Sequence, residues 1–197
     1  MEENKLNPHA KVVIVGGSAG SLEVLLQVLP KLQNIESLVI LLIVHRRNSD
    51  DNFLEELIRM KSGLKVKEVE DKTPIKVGHV YVAPADYHLL IENNLSFSLD
   101  VSEKVNYSRP SIDVGFESAA DVFGTKLVAI LLSGANNDGT NGLLAVKENG
   151  GIVIIQKPET AEVPYMPAHA IKNLDADYIL SANEIAVFIK GLVGKTS

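Results

Sequence analysis

The chain has 197 residues, of which 46% are hydrophobic, and this length predicts one domain with a substantial buried core. It contains no cysteine, which excludes disulfides, thiolate catalysis and cysteine-ligated zinc and favours a reducing, cytoplasmic location. The formal charge of −6 argues against a nucleic-acid partner, and no signal peptide or apolar run of roughly 18 residues predicts membrane insertion.

The first predicted element follows a polar segment without periodicity, residues 1–11, which we expect to be a tail. Residues 12–15 are β-branched and apolar, which is typical of a strand buried on both faces. The small residues at 16–21 predict a tight turn into a helix that begins near Leu22. Ser18 lies on that turn.

A second strand and helix follow in the same order. Residues 38–44 are all apolar and predict another buried strand, which stops at His45. Asn48, Ser49 and Asp50 offer N-caps for a helix that ends at Gly63. Two successive βα units indicate a parallel sheet.

The middle third has a different pattern and predicts an antiparallel excursion. Residues 65–70 alternate apolar and charged side chains, and residues 78–83 predict a short strand. Residues 89–92 and 96–99 flank two asparagines, which is a hairpin signal.

The last third returns to alternating helices and strands. The pattern predicts helices over 111–123 and 140–149, and strands over 126–132, 152–155 and 178–180. We interpret the proline-rich segment 158–167 as a loop, and Ser181 with Glu184 as the capping box of a last helix. The predicted fold class is α/β, with a doubly wound, mostly parallel sheet, helices on both faces and an antiparallel hairpin excursion in the middle third.

Three polar residues follow the carboxyl ends of the long apolar strands. They are Ser18, His45 and Asp138, and in open α/β sheets the ligand crevice lies outside those strand ends. A serine becomes a nucleophile when a histidine takes its proton and a carboxylate holds that histidine in one tautomer. The pattern therefore favours an acyl-transfer site.

Each of these residues also has a structural interpretation. The turn with Ser18 could bind phosphate or only permit close packing, and His45 could bond a backbone carbonyl. Asp138 could be a turn and N-cap residue. His169 also follows a predicted parallel strand and is the alternative base.

Several ordered blocks resemble the chemotaxis protein-glutamate methylesterases (CheB type), over residues 12 to about 190. The blocks are Gly-Gly-Ser-Ala-Gly-Ser at 16–21, the strand ending at His45, Val-Tyr-Val-Ala-Pro at 80–84 with Asp86 and His88, Arg-Pro-Ser-Ile-Asp-Val at 109–114, Ser133-Gly134 through Asp138-Gly139, and Met166-Pro167.

This resemblance implies a reaction and a set of roles. It assigns Ser18, His45 and Asp138 as nucleophile, base and acid, with the backbone N–H groups of Ala19 and Ala135 as the oxyanion hole. The implied reaction is hydrolysis of glutamate methyl esters on the cytoplasmic helices of a methyl-accepting chemoreceptor or similar receptor protein, and deamidation of receptor glutamines is a second activity that the resemblance implies. The resemblance implies neither a cofactor nor a metal.

The chain departs from the family pattern around the cleft. Ala19 and Ala135 replace a threonine and a methionine, and Val-His-Arg-Arg at 44–47 replaces Gln-His-Met-Pro. These changes affect how a substrate fits the cleft, so the target of this protein need not be a chemoreceptor. Arg46, Arg47 and Arg109 are candidates to contact acidic residues on a substrate helix.

The first predicted strand lies close to the start of the sequence. We expect one catalytic domain over 12–193 with no receiver domain, since about eleven residues precede the first strand, so this chain would not encode a phosphorylation-dependent regulator. The alternative is a non-catalytic module that uses the same crevice to bind a receptor helix or an anion.

Overall fold

A computed structural model describes residues 11–46 and 53–193. The central element of the fold is a parallel sheet. Its strands are β1 (Lys11–Gly17), β2 (Leu38–Val44), β3 (Val66–Glu68), β4 (His79–Val82), β7 (Leu127–Leu131), β8 (Ile152–Gln156) and β9 (Tyr178–Leu180). Their spatial order is β3-β4-β2-β1-β7-β8-β9, and each neighbouring pair is parallel. Strands β5 (His88–Ile91) and β6 (Phe97–Asp100) pair separately as an antiparallel hairpin.

Helices cover both faces of this sheet. They are α1 (Ser21–Val28), α2 (Phe53–Ser62), α3 (Ile112–Phe123), α4 (Thr140–Glu148), α5 (Tyr165–Asn173) and α6 (Ala182–Val193). Because successive strand side chains point to opposite faces, Val12 and Ile14 pack into one apolar core while Val13 and Val15 pack into the other. The first core includes residues of α3, α4 and α5, and the second includes residues of α1, α2 and α6. The predicted doubly wound fold is confirmed.

All residues of β2 are buried, as its unbroken apolar sequence predicts. Burial of one such aliphatic side chain stabilises the folded state by about 1.5–3 kcal/mol. The strand therefore belongs to the rigid centre of the sheet, and His45 follows it directly.

Some predicted elements differ from the structure. Strands β3 and β4 pair in parallel within the main sheet, so among the strands of the described residues the antiparallel pairing is confined to β5 and β6. The segment 158–167, expected to be a proline-rich loop, includes the first turn of α5, where Pro167 is tolerated because a helix does not need that N–H. β1 begins at Lys11, which the prediction placed in the tail; residues 1–10 of that tail lie outside the described residues, as do the predicted N-caps at 48–50.

The capping box predicted for α6 is present. Ser181 N and Oγ donate to Glu184 Oε2 at 2.8 and 2.7 Å, and Glu184 N donates to Ser181 Oγ at 3.5 Å. These bonds from the Ser181 backbone and side chain, together with Lys157, lower the pKa of Glu184 to about 2. Within residues 11–46 and 53–193, no helix combines the length and apolar composition needed to cross a bilayer.

The strand order changes direction beside β1. β1 has β2 on one side and β7 on the other, although β7 comes much later in the chain. In open α/β sheets, such a switch point opens a crevice at the carboxyl ends of the strands. Ser18 follows β1 at this point.

Candidate active site

Ser18 lies in a tight turn between β1 and α1. Its N–H donates to Ser133 O at 2.9 Å, and its carbonyl accepts from Ser21 N at 3.0 Å and from Ser21 Oγ at 2.7 Å. Gly20 adopts φ 80°, and a Cβ on it would lie 2.7 Å from Ser133 Oγ, so this turn requires glycine. The hydroxyl of Ser18 makes no hydrogen bond with any described residue.

His45 directly follows β2, the strand that pairs with the strand before Ser18. Gly17 pairs with Val44 at the end of the β1–β2 ladder, and His45 N donates to Gly17 O at 3.0 Å. The imidazole Nε2 lies 2.8 Å from Asp138 Oδ2. With a carboxylate at Nε2, the neutral ring carries its proton there and presents an unprotonated Nδ1 on the opposite side.

Asp138 is fully buried, and its carboxylate accepts from several donors. These donors are His45 Nε2 at 2.8 Å, Ile112 N at 2.7 Å, Ser111 Oγ at 2.9 Å, Asp113 N at 3.0 Å and Asn106 Nδ2 at 3.1 Å. Burial opposes ionisation, but these hydrogen bonds, led by that from His45, outweigh it and lower the pKa of the Asp138 carboxyl. The carboxylate is therefore held ionised against the imidazole.

The interpretation of Asp138 as a helix cap is half correct. α4, which follows it in the chain, has Gly139 at its N-cap position with φ 98° and no side-chain cap. The Asp138 carboxylate instead accepts hydrogen bonds from the first backbone N–H groups of α3, at the positive end of that helix. This contact between distant segments fixes the carboxylate in the crevice.

Ala19 follows Ser18 in the same turn, and the loop that carries Ala135 packs against Ser18. Both alanines are exposed, and neither backbone N–H donates to another described residue. Ser133 Oγ donates to Ala19 O at 2.7 Å, which holds that carbonyl toward the protein interior. A Cβ on Gly134 would lie 3.1 Å from Ser18 Cβ and 2.4 Å from Met166 Cε, so the loop before Asp138 packs directly against Ser18.

His169, the alternative base, has other partners. It lies in α5, where Nδ1 is 3.0 Å from Thr140 Oγ1 and Nε2 is 3.4 Å from Asn173 Nδ2. Its ring also stacks on Tyr165. In the described part of the chain no hydrogen bond joins His169 to Ser18 or Asp138, so the geometry favours His45.

Two of the three candidate arginines already have partners. Arg46 Nη2 lies 2.9 Å from Glu55 Oε1 and 2.6 Å from Glu68 Oε2, so its charge is compensated within the protein. Arg109 Nη1 donates to the carbonyls of Val101 and Ser102 at 2.8 and 2.9 Å. Both arginines line the cleft, but their guanidinium groups are anchored to neighbouring segments. Arg47 lies outside the described residues.

A segment in which the sequence pattern singled out Arg109 alone covers one side of the site. We call residues 101–109 the strap. Val105 and Ser108 exchange backbone hydrogen bonds at 3.2 and 2.9 Å, and Asn106 and Tyr107 between them have φ 51° and 63°. Residues other than glycine rarely adopt this left-handed backbone conformation. Here it turns Asn106 toward Asp138 and leaves Tyr107 97% exposed.

The strap also reaches the imidazole. Ser108 Oγ lies 3.4 Å from His45 Nδ1, the nitrogen not used by Asp138. Between the strap and the strand ends is a cleft of about 440 Å³. It is lined by His45, Arg46, Asp86, Lys104, Tyr107, Ser108, Arg109 and Pro110.

Comparison with known proteins identifies the family. The family model described as CheB methylesterase matches residues 13–189, which is most of the chain. The chain belongs to the CheB methylesterase family. The resemblance seen in the sequence blocks is therefore confirmed.

Relatives and a solved structure agree with this CheB assignment. A Leptospira interrogans protein provisionally named protein-glutamate methylesterase/protein-glutamine glutaminase is 42% identical over 91% of this chain and 94% of that protein. The Thermotoga maritima protein of the same name is 36% identical, and the match spans 52% of its length. The crystal structure of the Thermotoga maritima CheB methylesterase catalytic domain matches with a TM-score of 0.89 and 35% identity, covering 93% of this chain and 98% of that one.

Proposed function

We propose that this CheB family member hydrolyses methyl esters of glutamate side chains on a chemoreceptor or similar receptor protein, releasing methanol. We propose further that residues 12–193 act as its catalytic domain in the cytoplasm, and that the same site deamidates glutamines. The observation that carries the proposal is the His45–Asp138 hydrogen bond of 2.8 Å at the switch point beside Ser18. The names of the relatives support the same ester and amide chemistry.

In the proposed reaction, Ser18 Oγ attacks the acyl carbon of the substrate side chain while His45 Nδ1 takes its proton. The ionised Asp138 accepts from Nε2–H and stabilises the imidazolium that forms. Collapse of the tetrahedral intermediate expels methanol, or ammonia from an amide, with the proton returned by His45. Water then cleaves the acyl-enzyme by the same route in reverse.

The backbone N–H groups of Ala19 and Ala135 are the proposed donors to the oxyanion. Neither is used by another described residue, and both loops lie against Ser18. Each such donor is typically worth about 2.7–4 kcal/mol in the activation barrier. Because the donors are backbone groups, the alanine replacements at these positions leave the proposed hole available.

A specific observation favours a second candidate function. Among the described residues Ser18 Oγ is not hydrogen-bonded to His45, whereas Ser108 Oγ lies 3.4 Å from the nitrogen that the reaction needs. A non-catalytic module that binds a receptor helix in the same cleft would tolerate this arrangement. Such a module would bind its partner without turnover.

The deciding experiment measures methanol release from a methylated chemoreceptor fragment by the wild-type protein. We expect time-dependent methanol release, and mass spectrometry should detect conversion of the methyl ester to glutamate at the same positions. Saturable binding of the fragment with no methanol above the protein-free rate would contradict the proposed hydrolase and support the binding module.

Tyr107 is expected to contribute to substrate binding. Its ring is 97% exposed at the tip of the strap and lines the cleft beside Ser108. We expect Tyr107→Ala to raise KM about tenfold with little change in kcat, which corresponds to a loss of about 1.4 kcal/mol of binding. Tyr178→Ala, an exposed tyrosine in the edge strand β9 that does not line the cleft, is the control and should leave KM unchanged. An unchanged KM in Tyr107→Ala would contradict this role.

A further inference from the structure

His88 is a buried histidine that the proposed reaction does not use. It is the first residue of β5, it is 1% exposed, and it belongs to the sequence block that also contains Asp86. Ser111 N donates to its Nδ1 at 3.1 Å, and its Nε2 lies 2.9 Å from Glu103 O. Because an N–H group faces Nδ1 and a carbonyl faces Nε2, the imidazole accepts at Nδ1 and donates from Nε2. Both ring nitrogens are therefore paired with the backbone of other segments.

The two partners of His88 belong to different parts of the site. Glu103 lies in the strap, whereas Ser111 is the N-cap of α3 and donates through Oγ to Asp138 Oδ1 at 2.9 Å. One rigid ring thus joins the strap to the helix end that holds the carboxylate. Since a buried polar group is stable only when it is hydrogen-bonded, the two bonds of the ring fix how far the strap lies from α3.

Other hydrogen bonds hold the strap at its ends and at its tip. Arg109, at one end, donates to two carbonyls at the other end, at 2.8 and 2.9 Å. Asn106, at the tip, donates to the Asp138 carboxylate at 3.1 Å. Glu103 lies between these points, on the arm that leads to Tyr107. The bond from the imidazole therefore holds this arm.

We propose that His88 is a positioning residue for substrate binding: it holds the strap against α3 and thereby keeps the Tyr107 ring at the cleft. This ring lines the cleft but is 97% exposed, so packing does not hold it and its place depends on the backbone of the strap. The inference rests on the proposed function, because it concerns the substrate of that reaction.

The proposed role predicts an effect on KM and little effect on kcat. A loop that is ordered before binding loses less conformational entropy when the substrate arrives, so holding the strap lowers KM. The Asp138 carboxylate also accepts from His45 and from two backbone N–H groups of α3, none of which lies in the strap. The orientation of the imidazole of His45 therefore does not depend on the bond from His88 to the strap.

Two amide variants separate the two hydrogen bonds of His88. The amide of an asparagine lies as many bonds from the backbone as imidazole Nδ1, whereas the amide of a glutamine lies as many bonds away as Nε2. His88→Asn can therefore accept from Ser111 N but loses the bond to Glu103 O. His88→Gln can donate to Glu103 O but loses the acceptor for Ser111 N. Of the two variants, His88→Asn should release the strap.

We expect His88→Asn to raise KM for a methylated receptor fragment about fivefold, the change that corresponds to one neutral hydrogen bond. Its kcat should change less than about twofold. His88→Gln should keep a KM close to wild type, although its unpaired Ser111 N–H should make it less resistant to urea. An unchanged KM in a folded His88→Asn protein would overturn the proposal, and so would an equal rise of KM in both variants, which is what a merely structural role predicts.

His79→Asn is the matched control. His79 is a partly buried histidine at the start of β4, opposite to the strand ends that carry the site, and its Nδ1 lies 3.0 Å from Val77 O. This variant removes an imidazole that does not touch the strap, so KM should stay at the wild-type value. A fivefold rise of KM here as well would contradict an effect specific to the strap.

Hydrogen exchange separates a failure of this proposal from a failure of the proposed function. The N–H groups of Val105 and Ser108 bond to each other's carbonyls within the strap. They should exchange faster in His88→Asn than in the wild-type protein or His88→Gln, whether or not methanol is released. If the wild-type protein binds the fragment without releasing methanol, a rise of Kd confined to His88→Asn would support the positioning role and reject the hydrolase alone. Unchanged strap exchange in a His88→Asn variant of an active enzyme would reject the positioning role alone.

Discussion

Ser18→Ala is expected to reduce kcat for methanol release by about 10⁴- to 10⁶-fold, the loss typical of removing the nucleophile from a serine triad. Without Oγ no acyl-enzyme can form, so the remaining rate reflects binding and the backbone donors alone. Folding should be retained, because the turn is held by the Ser18 backbone and not by its hydroxyl. The measurement is methanol release from a methylated receptor fragment at saturating concentration.

Ser98→Ala provides the matched control. The Ser98 hydroxyl lies on β6 and accepts from Lys72 Nζ at 3.2 Å, away from the strand ends that carry the site. The Ser98→Ala protein should therefore retain the wild-type kcat for methanol release. An organophosphorus serine reagent should label the wild-type protein at Ser18 and leave Ser18→Ala unlabelled at that peptide. Near-wild-type methanol release by Ser18→Ala would exclude Ser18 as the nucleophile.

The fold could be predicted because its central strands carry an unambiguous pattern. β2 and β7 are apolar at every position and buried at every position, and such runs form parallel strands covered on both faces. Short edge elements were harder, since β3 has only one buried residue and its pairing depends on the neighbouring β4. Local sequence does not determine which partner such a strand finds.

The residues of the candidate site that directly follow strands could be predicted from the sequence. Those that lie within the strap could not. Ser18 and His45 are placed by strand ends that periodicity locates. Asn106 and Ser108 lie in the polar, aperiodic strap, and only the tertiary structure shows that they reach Asp138 and His45. The Arg-Pro-Ser block, whose arginine is the last residue of the strap, was the one available signal. The ion pairs of Arg46 were hidden for the same reason, because Glu68 lies on another strand.

Asp138→Asn is expected to lower kcat about 10⁴-fold, as loss of the triad carboxylate does in serine proteases. Asp138 Oδ1 accepts from Ser111, Asn106 and Asp113, so the carbonyl oxygen of the new amide should occupy that position. Its NH₂ group would then face His45 Nε2. The imidazole would accept there and carry its proton on Nδ1, where it could no longer take a proton from Ser18.

The same variant should also be less stable, because the NH₂ group would face Ile112 N, which donates to Oδ2 at 2.7 Å in the wild-type protein. Leaving a buried donor unpaired costs about 1–3 kcal/mol in the free energy of unfolding. Urea denaturation measures this cost, and Asp121→Asn on the exposed face of α3 should show neither effect. A folded Asp138→Asn protein with wild-type kcat would show that the imidazole does not depend on this carboxylate. The 2.8 Å contact would then be structural, and the proposed role of Asp138 in the reaction would be wrong.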